Sequence, residues 1–124
     1  MLLEPTRVIE LFMSSPHIHE VKAGEIIFEA DTPGEVMYGV IEGEVDMLVK
    51  GHVVETIGHG DIFGEGALVQ IPPVRASTAV AKTDCKLAAV DRAHFMFLVQ
   101  ETPLFALEVI RSLSTRLRSF KALV

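Results

Sequence analysis

Residues 17 to 90 alternate short apolar runs with turn residues, a pattern that is typical of β-strands. Seven such runs lie at 17–22, 25–29, 36–41, 43–49, 53–57, 77–81 and 86–90. They recur roughly every eight to twelve residues, and Gly or Pro stands in many of the intervals. This spacing predicts a mainly β fold, a β-roll or jelly-roll barrel of the cupin-like double-stranded β-helix type, rather than a parallel sheet with crossover helices.

Helical spacing is found on both sides of this β region. Residues 5–13 place apolar side chains for a short amphipathic helix, and 93–100 predict a second helix. Thr102 and Pro103 form a cap and first-turn signature that opens a final helix over about 102–124. The β-roll therefore carries flanking helices at its N-terminal and C-terminal ends.

The final helix has a continuous apolar seam. Its members recur at alternating intervals of four and three: Ala106, Ile110, Leu113, Leu117, Phe120 and Val124. This heptad spacing predicts a homodimer through the C-terminal helices; the alternative is a helix that folds back on the barrel as a lid, with Phe120 over the ligand. The basic residues of this segment are interpreted as a solvated face that complements the helix dipole: Arg111, Arg116, Arg118 and Lys121.

Length and composition limit the class of protein. The chain has 124 residues, 49% hydrophobic and 23% charged, which predicts one globular domain over 1–124. It contains no apolar run of about 18 residues, so no membrane span is expected. The N-terminus lacks the pattern of a secretory signal, and the single cysteine, Cys85, excludes an internal disulfide. These features favour a cytoplasmic protein in which Cys85 is a small buried strand residue.

The charge distribution argues against nucleic acid as a partner. The formal net charge is −6, and residues 1–70 hold thirteen acidic against three basic residues. Such an acidic front half would repel the phosphate backbone, whose contacts supply most nonspecific affinity.

The segment 58–78, GHGDIFGEGALVQIPPVRAST, combines features of an anion site. Its glycines permit close approach of a ligand, and the short turn Ala67-Leu68-Val69 could present amide N–H groups to a negative charge. Arg75 supplies a planar fork of donors that matches phosphate oxygens. Glu65 is an acceptor suited to hydroxyl groups. The segment therefore predicts a ligand that carries both a phosphate and a diol.

The same residues carry a family resemblance. The order F-G-E-x-A-L, then Pro, then R-A-S resembles the phosphate-binding cassette of cyclic nucleotide-binding domains, here 63–78. The flanking segments 31–35, 37–45 and 81–87 also resemble that family, so that the likeness covers nearly the whole chain. Gly66 departs from the family pattern, which more often has an aliphatic residue there. The resemblance implies non-catalytic binding of a cyclic nucleotide by a signalling sensor, with no metal and no cofactor.

The resemblance also implies roles for individual residues. Glu65 would accept a hydrogen bond from the ribose 2′-hydroxyl, and Arg75 would neutralise the phosphate. The remaining ligand-binding residues would supply backbone amides, room for the sugar, or contacts to phosphate and base: Gly64, Gly66, Ala67, Leu68, Ala76, Ser77 and Phe120. Ala76 stands where guanine-selective members tend to have a hydroxyl residue, which favours cyclic AMP over cyclic GMP. Phe120 would either stack on the base or belong to the helix seam.

Three alternatives remain open at this point. Glu65 and Arg75 could form a structural ion pair, and the barrel could serve as a dimerisation or scaffold module without a nucleotide. His17 and His19 share a strand face and could begin the metal site of a cupin enzyme, but the carboxylate and the second motif that such enzymes need are lacking. Transcription regulators with this sensor carry a helix-turn-helix after the long helix, whereas this sequence ends at Val124. The expectation is a sensor read by a second copy, by an unidentified effector protein or by a further domain of a longer protein.

Overall fold

Two four-stranded antiparallel sheets form the centre of the computed structural model, which describes residues 4–12 and 17–123. One sheet has the order β1-β8-β3-β6 and the other β2-β7-β4-β5. The strands are β1 His17–Val21, β2 Ile26–Phe28, β3 Val36–Glu42, β4 Val45–Val49, β5 His52–Ile57, β6 Ile62–Phe63, β7 Thr78–Ala81 and β8 Cys85–Asp91. This arrangement confirms the predicted jelly-roll fold with flanking helices.

All seven predicted strands are present, with boundaries that differ by one or two residues, as is usual for strand ends. The prediction missed β6, which contains only Ile62 and Phe63 and pairs with Tyr38 and Gly39 of β3. A two-residue strand is too short to produce a detectable alternation of apolar and polar positions.

The space between the sheets is filled by one apolar cluster. Strand β8 shows how it is built, because Cys85, Leu87 and Ala89 face this interior while Ala88 and Val90 face the other side of the sheet. Cys85 is buried, as predicted, and its Sγ lies 3.2 Å from the carbonyl oxygens of Glu44 and Thr83.

A second apolar cluster joins the outer face of the β1-β8-β3-β6 sheet to the helices. These are α1 Pro5–Phe12, α2 Gly66–Val69, α3 Arg92–Glu101 and α4 Leu104–Lys121. Phe105 and Val109 attach α4 to this cluster, and Val8 and Ile9 attach α1. The sheet is therefore buried on both faces, which fixes α4 beside the barrel.

The boundaries of the helices differ slightly from the prediction. Thr102 is the C-cap of α3 and donates its backbone N–H to Leu98, so its side chain does not cap α4, which begins at Leu104. Of the predicted helix 5–13, Met13 lies outside the described residues, as does Val124 of the seam. None of the described helices is by itself long and apolar enough to cross a membrane; α3 and α4 reach that length only together, across a bend of 116°.

Candidate functional site

The cassette connects the two sheets and forms one wall of a cavity of about 400 Å³. It leaves β6 at Phe63, forms the single turn α2, passes through the cis peptide bond between Ile71 and Pro72, and enters β7 after Ser77. Seven of the nine predicted site residues line the cavity: Gly64, Glu65, Gly66, Ala67, Arg75, Ala76 and Ser77.

Arg75 is buried at the base of this wall, with 6% of its surface exposed. Its Nη1 donates to the carbonyl oxygen of Gly64 at 2.9 Å and its Nη2 to that of Val36 at 2.8 Å. Burial lowers the pKa of Arg75, while the neighbouring Tyr38 and Glu65 act in the opposite direction. A guanidinium remains protonated even so, and the site therefore presents a fixed, oriented positive charge.

Two glycines leave the space that the guanidinium occupies. A Cβ on Gly34 would lie 2.3 Å from Nε of Arg75, and a Cβ on Gly64 would lie 2.9 Å from its Nη1. Gly64 also has a φ of +75°, which a residue with a side chain adopts at a cost. Gly34 was not among the predicted site residues, although it lies in the segment 31–35 that resembles the family.

Glu65 lies beside Arg75 without pairing with it. Among the described residues, Glu65 forms one ion pair, with Arg116 of α4, at 3.9 Å between Oε1 and Nη1, and this oxygen is buried without a hydrogen-bond donor. Glu65 and Arg75, both among the described residues, do not come within ion-pair distance of each other, so the alternative of a structural ion pair between them is wrong. The Arg75 guanidinium donates instead to two backbone carbonyls. The carboxylate is left as an acceptor on the cavity wall.

The turn α2 differs from its prediction in one respect. The backbone N–H of Ala67 donates to the backbone carbonyl of Gly64 at 3.3 Å, and that of Leu68 donates to the backbone carbonyl of Glu65 at 3.0 Å. These amides are engaged within the turn and are not free donors, since a single helical turn closes its own hydrogen bonds. The Leu68 side chain is buried in the second apolar cluster, so it anchors the turn and does not line the cavity.

Helix α4 closes the cavity with a residue that the sequence analysis misassigned. Arg116 lines the cavity, and its side chain is 18% exposed because it contacts Glu55 of β5 and the carbonyl of Ile62. The interpretation of Arg116 as part of a solvated face is therefore wrong. Phe120, one helical turn further on, is 37% exposed and lies outside the residues that line the cavity, so the structure does not bring it to the site. Stacking of Phe120 on a base stays a prediction.

The histidine pair shows no sign of a metal centre. The rings of His17 and His19 lie 4.7 Å apart on β1, and His19 continues into contact with Tyr38. Within residues 4–12 and 17–123, no group of three or more His, Cys, Asp or Glu side chains is arranged to hold a metal ion. Burial, followed by the charge of His17, lowers the pKa of His19.

The chain is also similar in sequence to proteins of a known family. The family model for the cyclic nucleotide-binding domain matches residues 18–102. The cAMP-activated global transcriptional regulator CRP of Pasteurella multocida is 29% identical over 122 residues, which cover 94% of this chain and 57% of the regulator. A cAMP-dependent protein kinase regulatory subunit of Eremothecium gossypii is 47% identical over 74 residues, which cover 60% of this chain and 16% of the subunit.

The fold itself is shared with solved structures. The structure of the c-di-GMP responsive global regulator CLP of Xanthomonas campestris superimposes on this one with a TM-score of 0.79 at 24% identity. The match covers 90% of this chain and 59% of the CLP chain. The chain spans little more than half the length of the CRP relative and a smaller share of the kinase subunit. The CRP relative is named as a transcriptional regulator, so the comparisons do not support the expectation that nucleic acid is not a partner.

Proposed function

Because the chain belongs to the cyclic nucleotide-binding domain family, we propose that its cavity binds cyclic AMP in preference to cyclic GMP and does not convert it chemically. The domain would act as a sensor that reports the nucleotide through α4. The CRP and kinase relatives are named as a regulator and a regulatory subunit, which supports a non-catalytic role.

The observation that carries the proposal is that one cavity wall holds both a cation and a hydrogen-bond acceptor. Arg75 is a buried, fixed cation, and Glu65 beside it has a buried oxygen without a hydrogen-bond donor among the described residues. A cyclic phosphate fused to a ribose offers an anion and a 2′-hydroxyl a few ångströms apart. The cavity of about 400 Å³ lies within the usual size range of small-molecule sites.

The preference for adenine rests on two points. Ala76 lines the cavity with a methyl group, where a hydroxyl residue would favour guanine. The CRP and kinase-subunit relatives are both named for cAMP. A regulator of the same fold responds to c-di-GMP, so that dinucleotide belongs in the same experiment.

Signalling would follow from the position of α4. Binding of an anion between the cassette and Arg116 would change the relative stability of two packings of this helix, and only such a differential affinity can shift the population. The reader of that change would be a second copy of the chain, an effector protein or a further domain of a longer protein, and we expect the cytoplasm as its location.

Calorimetric titration with cyclic AMP, cyclic GMP, c-di-GMP and AMP tests the proposal. We expect cyclic AMP to bind most tightly and, at about 100 times its Kd, to raise the free energy of unfolding by roughly 2.7 kcal/mol. AMP should bind far more weakly, because its phosphate is not closed onto the sugar. A folded protein that binds none of the cyclic nucleotides at millimolar concentration would leave the scaffold module as the better function.

A further inference from the structure

Arg116 lies between two carboxylates and is bonded to one of them. Its Nε donates to Oε1 of Glu55 at 2.8 Å and its Nη2 contacts Oε2 of Glu55 at 3.5 Å. The third nitrogen, Nη1, donates to the carbonyl oxygen of Ile62 at 2.7 Å. The same Nη1 is 3.9 Å from Oε1 of Glu65, too far for a hydrogen bond.

This geometry matters because the three side chains are partly withdrawn from water. The exposed fractions are 18% for Arg116, 21% for Glu55 and 29% for Glu65. A two-pronged pair between guanidinium and carboxylate is both stronger and more directional than a single ionic contact. Glu55 and the Ile62 carbonyl together therefore determine which way the Arg116 fork points.

We propose that Glu55 is a positioning residue that holds Arg116 away from Glu65 and so keeps the Glu65 carboxylate open to a hydroxyl of the ligand. The inference rests on the proposed function, because it assigns the way in which that same site is kept ready. Glu55 extends from β5 and Arg116 from α4, so the pair also holds the helix at the mouth of the cavity before any ligand arrives.

Loss of the Glu55 charge would redirect Arg116. Among the described residues, Glu65 is then the carboxylate that remains within ion-pair distance of Arg116, and a movement of about 1 Å would bring Nη1 into hydrogen-bond range of Oε1. A ligand hydroxyl would have to displace that new ion pair, so the affinity would fall. Simple electrostatics predicts the opposite sign, because removal of a negative charge near an anionic ligand strengthens its binding.

The test is the variant Glu55→Gln, titrated with cyclic AMP and with 2′-deoxy cyclic AMP. We expect the affinity for cyclic AMP to fall on the order of tenfold, as for loss of one charge-assisted hydrogen bond. The affinity for the deoxy compound should change by less than about twofold, since this compound has no 2′-hydroxyl that could donate a hydrogen bond to Glu65. A merely structural role of Glu55 would lower both affinities equally and would overturn the proposal.

Two controls isolate the role of Arg116. In an Arg116→Gln background, Glu55→Gln should cause no further loss of affinity, because no guanidinium remains to be redirected. Asp46→Asn removes a charge from the adjacent strand β4, where Asp46 accepts from Thr56, and should leave the ratio of the two affinities unchanged. Glu55→Thr, which suits a strand, replaces Glu55→Gln should that variant fold poorly.

The outcomes separate this inference from the proposed function. A wild-type protein that binds cyclic AMP, together with a Glu55→Gln variant of equal or higher affinity, refutes the positioning role alone. A wild-type protein that binds no cyclic nucleotide in the same titration refutes the proposed function and the positioning role together.

Discussion

The guanidinium carbon of Arg75 lies 4.0 Å from the centre of the Phe28 ring. Phe28 belongs to β2 and its ring stacks against Tyr38 and lies tilted against Phe63, two buried rings of the inter-sheet core. A cation over an aromatic face is attracted by the negative face of the ring, and the attraction increases with burial. The charge that would meet the ligand is therefore fixed by the core of the barrel as well as by the cassette.

We predict that replacement of Arg75 weakens ligand binding and stability together. Arg75→Ala should lower the affinity for cyclic AMP at least on the order of tenfold, and Arg75→Lys should lower it less. The Gly64 and Val36 carbonyls lose their donor in the alanine variant. A cost of about 1–3 kcal/mol to the folded state follows.

Calorimetry and thermal denaturation without ligand measure the two effects. Arg118→Ala is the matched control, because Arg118 is exposed on α4. Unchanged affinity in a folded Arg75→Ala protein would exclude Arg75 from the site.

Gly34→Ala should displace the Arg75 guanidinium. The added Cβ would lie 2.3 Å from Nε and 2.5 Å from Cζ, distances at which one group must move. We expect a loss of cyclic nucleotide affinity without loss of the fold, since Arg75 can withdraw from its two carbonyls. Gly58→Ala is the control, because a Cβ there meets nothing within 4 Å. Equal affinities of the two variants in calorimetry would contradict the role assigned to Gly34.

Site residues that are close together in the sequence could be predicted from it, whereas contacts between distant segments could not. Gly64, Glu65 and Arg75 stand in one segment, and their residue types are sufficient to predict an anion site. Glu55 and Arg116 are 61 residues apart and meet only because α4 packs against the barrel. Helical periodicity could not predict the contact between Glu55 and Arg116. Arginine normally faces water, and the spacing of Arg116 close to the apolar seam does not indicate which neighbour it meets.

The start of α3 provides a prediction for pH. Asp91 caps the helix by accepting from the backbone N–H of His94 at 2.9 Å, and this bond is the main cause that lowers the pKa of Asp91. Asp91→Ala should reduce the free energy of unfolding by about 1 kcal/mol at neutral pH. A lowered folded-state pKa means that this contribution is full above the unfolded value and disappears as the pH falls through the folded value.

Urea denaturation of wild type and variant at pH 7 and near pH 3 measures the difference. The gap between them should be larger at pH 7, and Glu101→Gln at the opposite end of α3 should not reproduce it. A gap that widens in acid would show that Asp91 does not stabilise the helix as a carboxylate.

The structure limits the predicted dimer interface to one face of α4. Phe105, Glu108 and Val109 bury one side of the helix against the domain, while Ile110 and Leu117 of the seam remain 60% and 54% exposed. The helix therefore packs on the barrel and also presents part of its apolar seam outwards, so packing on the barrel does not exclude a dimer. We predict that two copies associate along this seam, because heptad spacing of apolar residues is typical of helices that pair.

Leu117→Glu and Ile110→Glu test the dimer without touching the core. Leu113 is left unchanged because it packs against the second apolar cluster, and its replacement would disturb the single chain as well. We expect wild type to scatter light as a dimer and each variant to do so as a folded monomer, since a buried carboxylate without a partner opposes association by several kcal/mol. Arg118→Glu places a carboxylate at an exposed position of α4 that does not belong to the seam, and this variant should stay dimeric. A wild-type protein that is already monomeric at high micromolar concentration would contradict the seam as a dimer interface.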